Sequence, residues 1–254
     1  MIPRLHIDAP LTEGAALTLG DAQTHYLKNV MRREVGAALK VFNARDGEFA
    51  ATITSGDRKR IGIEIGARLR APAAESDLWL LFALIKRDAI DLIIEKATEL
   101  GVSRFLPILT ERTQSQRINL DRLSAIATEA AEQCGRLSVP AASPPQPLDS
   151  LLRDWPQGRR LFYCDEAGDD PAADWGGEFG RAAPLLDVAA SIAPAPLAVL
   201  IGPEGGFSPT ERARLRALSF VSPASLGPRI LRADTAAIAS LSVLQASVGD
   251  WRRR

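Results

Sequence analysis

Between Leu197 and Ile201 the chain runs through five apolar residues and then stops at Gly202-Pro203-Glu204-Gly205-Gly206-Phe207. So short a run, apolar at every position, reads as a strand covered on both faces, which points to a parallel sheet in an α/β fold. The next four residues are equally constrained. Ser208-Pro209-Thr210-Glu211 has the form of a capping box, with Ser208 as N-cap, Pro209 at the first helical position and Glu211 placed to reach back to the Ser208 amide. A helix therefore starts at about Ser208. Gly205 and Gly206 precede it, where a missing Cβ permits positive φ and lets a ligand approach the main chain. Taken alone, the segment is equally compatible with an ordinary strand-to-helix turn.

A second glycine turn comes about twenty residues later, in Leu226-Gly227-Pro228-Arg229-Ile230-Leu231-Arg232-Ala233-Asp234-Thr235. Asp234 reads as the N-cap of a helix carrying Ile238, Leu241, Leu244 and Val248 at helical spacing. Arg229 and Arg232 beside a glycine turn suit an anion, although arginines at a surface commonly form solvated ion pairs instead. Two such turns at the carboxyl ends of parallel strands make a pocket.

Before about residues 71–76 the pattern is of short alternating strands: Leu39–Asn43, Glu48–Ile53 and Ile61–Ile65, with a turn at Arg45-Asp46-Gly47. A helix is expected that begins after Asp21 and ends before Gly36, with Tyr26, Leu27, Val30 and Met31 as its apolar stripe and His25, Lys28 and Arg32 on another, basic face. Such a face is usually plain solvated surface. After the boundary the chain turns to strand-helix units. Leu78–Ile85, Phe105–Leu109 and Leu161–Asp165 read as strands, and Asp88–Leu100, closed by Gly101, and Asn119–Glu132 as helices. The repetition implies a parallel sheet.

Composition excludes several classes. The longest apolar run, Leu78–Ile85, is too short to cross a bilayer, and the start Met1-Ile2-Pro3-Arg4 lacks a signal peptide's basic and apolar regions, so a cytoplasmic location is expected. Cys134 and Cys164 have no CxxC or histidine partners, so neither a disulfide framework nor a metal site is expected. The net charge of zero argues against nonspecific binding of nucleic acid, yet it averages over a gradient. Residues 1–70 carry 11 Lys and Arg against 8 Asp and Glu, residues 199–254 carry 8 against 4, and residues 142–198 carry 4 against 9. That acidic middle segment, with Pro144-Pro145, Gly168, Pro171 and Gly176-Gly177, reads as long loops punctuating short elements and is expected to face away from RNA.

Taken together, Ile201–Phe207, Leu226–Arg232 and the following Asp234-Thr235-Ala236 closely resemble the bacterial 16S ribosomal RNA uridine-N3 methyltransferases, a branch of the SPOUT superfamily. His25–Arg32 with Gly36, Lys86 with Ile93–Val102, Thr110-Glu111-Arg112, and Glu129–Arg136 with Pro140 continue the match in order, over nearly the whole chain. The resemblance implies an α/β fold: a small PUA-like β-barrel domain (residues 1–72) that binds RNA, then a SPOUT-type parallel sheet with a C-terminal trefoil knot (residues 73–254). It implies S-adenosylmethionine as cofactor, seated by Cys164, Leu200, Ile201, Gly202, Gly205, Gly206, Leu226, Gly227, Ile230, Leu231 and Thr235, with the amides of Gly202, Gly206, Ile230 and Leu231 as donors. Arg232, then Arg229, would stabilise negative charge on the target base, and Glu204 or Asp234 would take its proton. Contacts to 16S ribosomal RNA, in the small subunit, would come from Arg4, His25, Lys28, Arg32, Arg33, Lys86, Arg112 and Arg136. A homodimer is also implied, with the helix ending near Val248 in its interface. The competing readings are a SPOUT enzyme acting on transfer RNA and a noncatalytic RNA-binding or ribosome-assembly factor. A nucleotide-phosphate binder is disfavoured by the absence of GxGxxG and of a Gly-Lys-Ser/Thr loop.

Overall fold

A computed structural model describes residues 2–56, 60–113, 117–165 and 182–252. Gly168, Pro171, Gly176, Gly177, Arg253 and Arg254 lie outside the described residues. The chain divides into two compact units, Met1–Ala74 with Thr128–Val139, and Glu75–Ala127 with Pro140–Arg254.

The first unit is a five-stranded sheet. Its strands are β1 (Arg4–His6), β2 (Ala16–Thr18), β3 (Ala38–Asn43), β4 (Gly47–Gly56) and β5 (Ile61–Arg70), in the order β1-β3-β4-β5-β2. Alternation decides its core: Phe49, Ala51 and Ile53 of β4 and Ile61, Ile63 and Ile65 of β5 fall at every second position and are buried with Leu5, Leu27 and Val41. Full burial of each large aliphatic contributes about 1.5–3 kcal/mol. The β3–β4 turn requires glycine at Gly47, whose φ is +96° and whose added Cβ would collide with the Arg70 carbonyl.

The helix expected to begin after Asp21 and end before Gly36 is corrected. Regular α-helix α1 spans only Asp21–His25 and passes into a π-helical turn, Tyr26–Val30, in which Met31 N–H donates to the Tyr26 carbonyl at 2.9 Å. The wider turn rotates side chains off a 3.6-residue stripe. Leu27 alone of the expected stripe is buried, whereas Tyr26 and Val30 are exposed. Arg32 lies beyond the helix at φ +50°, so it shares no helical face with His25 and Lys28.

Arg4 is likewise corrected from an RNA ligand to a structural residue. Its Nε donates to Glu48 at 2.5 Å, its guanidinium lies 3.6 Å from the centroid of Phe42, and its Nη atoms donate to the carbonyls of Ala131 (2.6 Å) and Arg136 (2.5 Å). Glu48 is buried and also meets Arg70 at 3.0 Å, and its carboxyl is held below the usual range because, although burial opposes it, Arg4 and Arg70 hold the ionised form.

The second unit is an entirely parallel sheet with most of its connections run through helices. Its elements are β6 (Leu78–Ala83), α2 (Arg87–Glu99), β7 (Arg104–Leu109), α3 (Leu120–Cys134, whose residues from Thr128 belong to the first unit), β8 (Ala141–Ala142), β9 (Gln146–Pro147), α4 (Leu148–Arg153), β10 (Arg160–Cys164), α5 (Leu185–Ala190), β11 (Leu197–Ile201), α6 (Pro209–Ala217), β12 (Val221–Ala224) and α7 (Ala233–Ser247). The order is β12-β10-β11-β6-β7-β8, with β9 also on β7. The expected strands and helices of this half are all present; β9, α4 and α5 are short elements within the segment read as long loops punctuating short elements, and β8 lies at its start. From β6 the chain builds outward to β7 and β8, then returns to the opposite side for β10, β11 and β12, which places a switch in strand order beside β6 and β11. The stripe of α7 is Ala237, Ser240, Leu241 and Leu244, all buried within this unit, while Ile238 and Val248 are half-buried. Among the described residues no helix is long and apolar enough to cross a membrane.

Glu132 is the titration marker of the first unit. Burial, opposed by the His6 N–H at 2.9 Å and by Arg4, pushes its carboxyl up to about 7 from 4.5. Folding therefore takes up a proton in that window, so this group's stabilising contribution is complete below it and is lost as pH rises through 7. Glu132→Gln should remove that fall, read as the difference between wild-type and variant urea midpoints from about pH 5 to about pH 7.5. His6, lowered by burial, acts in the opposite sense but is common to both proteins.

Candidate active site

The carboxyl ends of β6, β10 and β11 border a cleft of about 790 Å³. Ile85, Tyr163–Asp165 and Ile201 come from the strand ends, Gly202–Phe207 from the first glycine turn, and Ile230–Asp234 from the second. In-register pairing of Ile201 with Phe82 and of Leu200 with Tyr163 brings these ends to one level. The first turn is then held at several points. Phe207 folds back onto Tyr163, with ring centroids 5.1 Å apart and edge to face, and an added Cβ at Gly202 would lie 2.6 Å from the Phe207 ring. Gly206 has φ +66°, the conformation that glycine adopts without a steric cost.

The capping box is present as the spacing predicts. Glu211 N–H donates to Ser208 Oγ at 3.1 Å, and Ser208 N–H donates to Glu211 Oε2 at 2.9 Å. The other oxygen of Glu211 does something the sequence did not indicate: Oε1 accepts the Glu111 N–H at 2.8 Å. Arg112 Nη1 in turn donates to the Gly205 carbonyl at 2.8 Å. Two bonds thus fix the glycine turn to the loop after β7.

Of the cofactor-binding and catalytic candidates, the cleft gathers Cys164, Ile201, Gly202, Glu204, Gly205, Gly206, Ile230, Leu231, Arg232 and Asp234, and Lys86 and Arg112 of the RNA candidates line it too. Leu226, Gly227 and Arg229 line a hollow of about 50 Å³ that shares Cys164, Asp165, Ile230 and Leu231 with the cleft. Four placements differ from expectation. Leu200 is fully buried in the sheet between Leu81 and Tyr163 and forms no wall. Thr235 lines neither hollow; its hydroxyl donates to Asp234 Oδ1 at 3.2 Å. The Gly206 amide is taken by the Pro203 carbonyl at 2.9 Å, so it closes the turn rather than facing a ligand. The N-cap of α7 is Arg232, extended at ψ 155°, which puts Asp234 inside the first turn, where its carboxylate still favours the positive helix end.

Charge in the cleft is balanced: Lys86, Arg112, Arg212 and Arg232 face Asp88, Asp165, Glu204 and Asp234. Asp165, Arg212 and Arg216 are the functional-region residues that sequence reasoning missed. Buried Asp165 accepts from Arg212 Nε at 3.1 Å and from Arg216 Nη2 at 2.6 Å. Their only sequence signal is an aspartate ending an apolar strand and arginines at i and i+4 on α6; nothing local says that they meet. Burial pushes the Cys164 thiol up to about 12, with Asp165 adding to the effect and Ser240 opposing it, so the thiol stays protonated at neutral pH. No hydrogen bond or ion pair engages the guanidiniums of Arg229 and Arg232 among the described residues, and the amides of Ile230 and Leu231 have no acceptor there. No group of three or more His, Cys, Asp or Glu able to hold a metal occurs among them either.

In the first unit His25 and Arg32 are exposed and Lys28 and Arg33 half-buried. Arg136 is half-buried, with Nη2 donating to Ser138 Oγ at 2.7 Å.

Two substitutions test the turn. Gly202→Ala drives a Cβ into Phe207 and should weaken binding of a ligand in the cleft at least tenfold by calorimetry, whereas Gly205→Ala, whose Cβ meets Arg112 at an ordinary 3.8 Å, should change it less than threefold. Glu211→Ala loses both the cap and the tie to Glu111 and should lower stability by about 2 kcal/mol in urea unfolding.

Residues 72–245 match the family model described as an RNA methyltransferase domain, and residues 19–66 the one described as an RNA methyltransferase PUA domain. Ribosomal RNA small subunit methyltransferase E of Rickettsia conorii is 30% identical over 94% of this chain and 93% of its own length. A Legionella pneumophila structure in complex with the bound cofactor SAM is 31% identical, with a TM-score of 0.83 over 98% of this chain and 99% of that one. At 24% identity the Neisseria gonorrhoeae ribosomal RNA small subunit methyltransferase E, bound to S-adenosyl methionine, shares the fold, with a TM-score of 0.82 over 99% of this chain and 100% of that one. By sequence, domain content and fold, the chain belongs to the ribosomal RNA small subunit methyltransferase E family.

Proposed function

We propose that this protein methylates N3 of a uridine in 16S ribosomal RNA with S-adenosylmethionine as donor. The observation that carries the reading is an unpaired guanidinium, Arg232, on the same short segment as the free amides of Ile230 and Leu231, at the edge of a cleft walled by Ile201 and a glycine turn. A volume of about 790 Å³ suits a nucleoside-sized cofactor with room for a base. Ile201, Ile230 and Leu231 would enclose the adenosine, with the amides of Ile230 and Leu231 as donors. When bound, the cofactor supplies an electrophilic methyl on a sulfonium.

The chain's own task is to make the acceptor nucleophilic. Uridine N3 carries a proton, and its loss spreads negative charge over N3 and the flanking carbonyls, which a fixed arginine stabilises in a water-poor cleft. Arg232 occupies that role, with Arg229 three residues away as a second cation. Of the two carboxylates, Glu204 is the better proton acceptor: it has no partner among the described residues, whereas Asp234 Oδ1 already accepts the Thr235 N–H at 2.6 Å. Basic residues of the first unit, His25, Lys28, Arg32 and Arg33, would hold the flanking RNA, and Lys86 and Arg112 its backbone near the cleft. A homodimer accompanies this reading, with exposed Ile230 and Leu92 at the cleft, rather than the internally packed α7 stripe, as its apolar contacts.

Methyl incorporation into 16S RNA and transfer RNA, measured side by side, tests the substrate class: label in 16S RNA at uridine N3 supports the reading, and label in transfer RNA, or none despite cofactor binding, overturns it. Arg232→Ala should lower kcat about 10²-fold while leaving S-adenosylmethionine affinity within about threefold of wild type.

A further inference from the structure

A second cavity, of about 400 Å³, opens beside the cleft and shares Ile85 with it. Its floor is apolar, formed by buried Ile90 and Leu123 with half-buried Ile118. The rim is basic. Arg87 and Arg117 are exposed, and Arg122 holds Asp91 through Nε at 2.9 Å and Nη2 at 2.5 Å, which sets the wall between α2 and α3. Three arginines against one aspartate leave a charge of +2 on the lining, reduced to +1 when Asp88, which also acts on Arg122, is counted. An apolar floor under a rim of arginines is complementary to a nucleotide, whose base offers apolar faces and whose phosphate offers charge.

Position narrows the occupant further. Lys86 and Asp88 line the cleft while Arg87 between them lines this cavity, so an RNA strand with one base in the cleft has an adjacent nucleotide within reach of the second site. We infer that this cavity receives the base of a nucleotide flanking the methylated one, with Ile118 and Ile90 against its face and Arg87 at its phosphate. The cavity then contributes to the choice of sequence as well as to affinity. The inference rests on the reading of the neighbouring cleft as an RNA methylation site.

The test uses the full-length protein and 16S RNA fragments in which each nucleotide flanking the target is made abasic in turn. At one position wild-type kcat/KM should fall at least tenfold. Ile118→Trp, which fills the cavity, should show a comparable loss on intact RNA and no further loss on that abasic fragment, with S-adenosylmethionine affinity and thermal midpoint unchanged. Arg87→Gln, at an exposed position, should raise KM severalfold with kcat retained. The inference is overturned if no flanking position is sensitive, if the Ile118→Trp and abasic losses multiply at every position, or if both variants methylate intact RNA as wild type does. Wild-type protein that methylates no RNA at all refutes the underlying reading instead, and the cavity assignment falls with it.

Discussion

Everything at the site depends on parallel pairing of β11 with β10 on one side and β6 on the other. Parallel strands end together, and their connections leave through helices, so the carboxyl ends of all three strands are clear for ligand-binding loops. Ala198–Ile201 is buried on both faces, and a slip of its register would misplace Gly202 relative to Ile85 and Cys164. The switch in strand order beside β6 and β11 leaves the space that the glycine turn borders.

That turn is made rigid by side chains rather than by glycine alone. Glu211 accepts amides from its own N-cap and from Glu111, and Arg112 donates to Gly205, so hydrogen bonds tie α6, the turn and the loop after β7 together. Beneath it, Asp165 binds two arginines in a buried setting where an unpaired carboxylate would be costly. Engaged charges thus form the frame, while Arg229, Arg232 and Glu204 are among those that stand without a hydrogen bond or ion pair at the cleft and its adjoining hollow. An anionic base has cations to meet there without displacing a structural ion pair.

Most of the second unit is legible in the sequence because its strands are short apolar runs, its longer helices carry a 3.6-residue stripe and α6 carries a capping box. Ser208 and Glu211 are where local rules determine local structure. The failures arise where a nonlocal contact decides. The π-helical turn at Tyr26–Val30 preserves an amphipathic spelling while exposing Tyr26 and Val30, so periodicity alone misjudges its face. Arg4 reads as an RNA contact because it is basic, yet its partners Glu48 and the Ala131 and Arg136 carbonyls lie 44, 127 and 132 residues away. Asp165 and Arg212 meet across 47 residues, and no spacing rule anticipates such a pair. At Asp234 the N-terminal helix signal is real but displaced by two positions, because Arg232 already takes the extended cap conformation.

The most direct measurement is a crystal structure of the protein grown with S-adenosylmethionine. The account predicts adenosine between Ile201 and Ile230, main-chain bonds from Ile230 and Leu231, and the sulfonium methyl directed into the space beside Arg232. Density for the cofactor elsewhere in the molecule, with those amides still free, would contradict it.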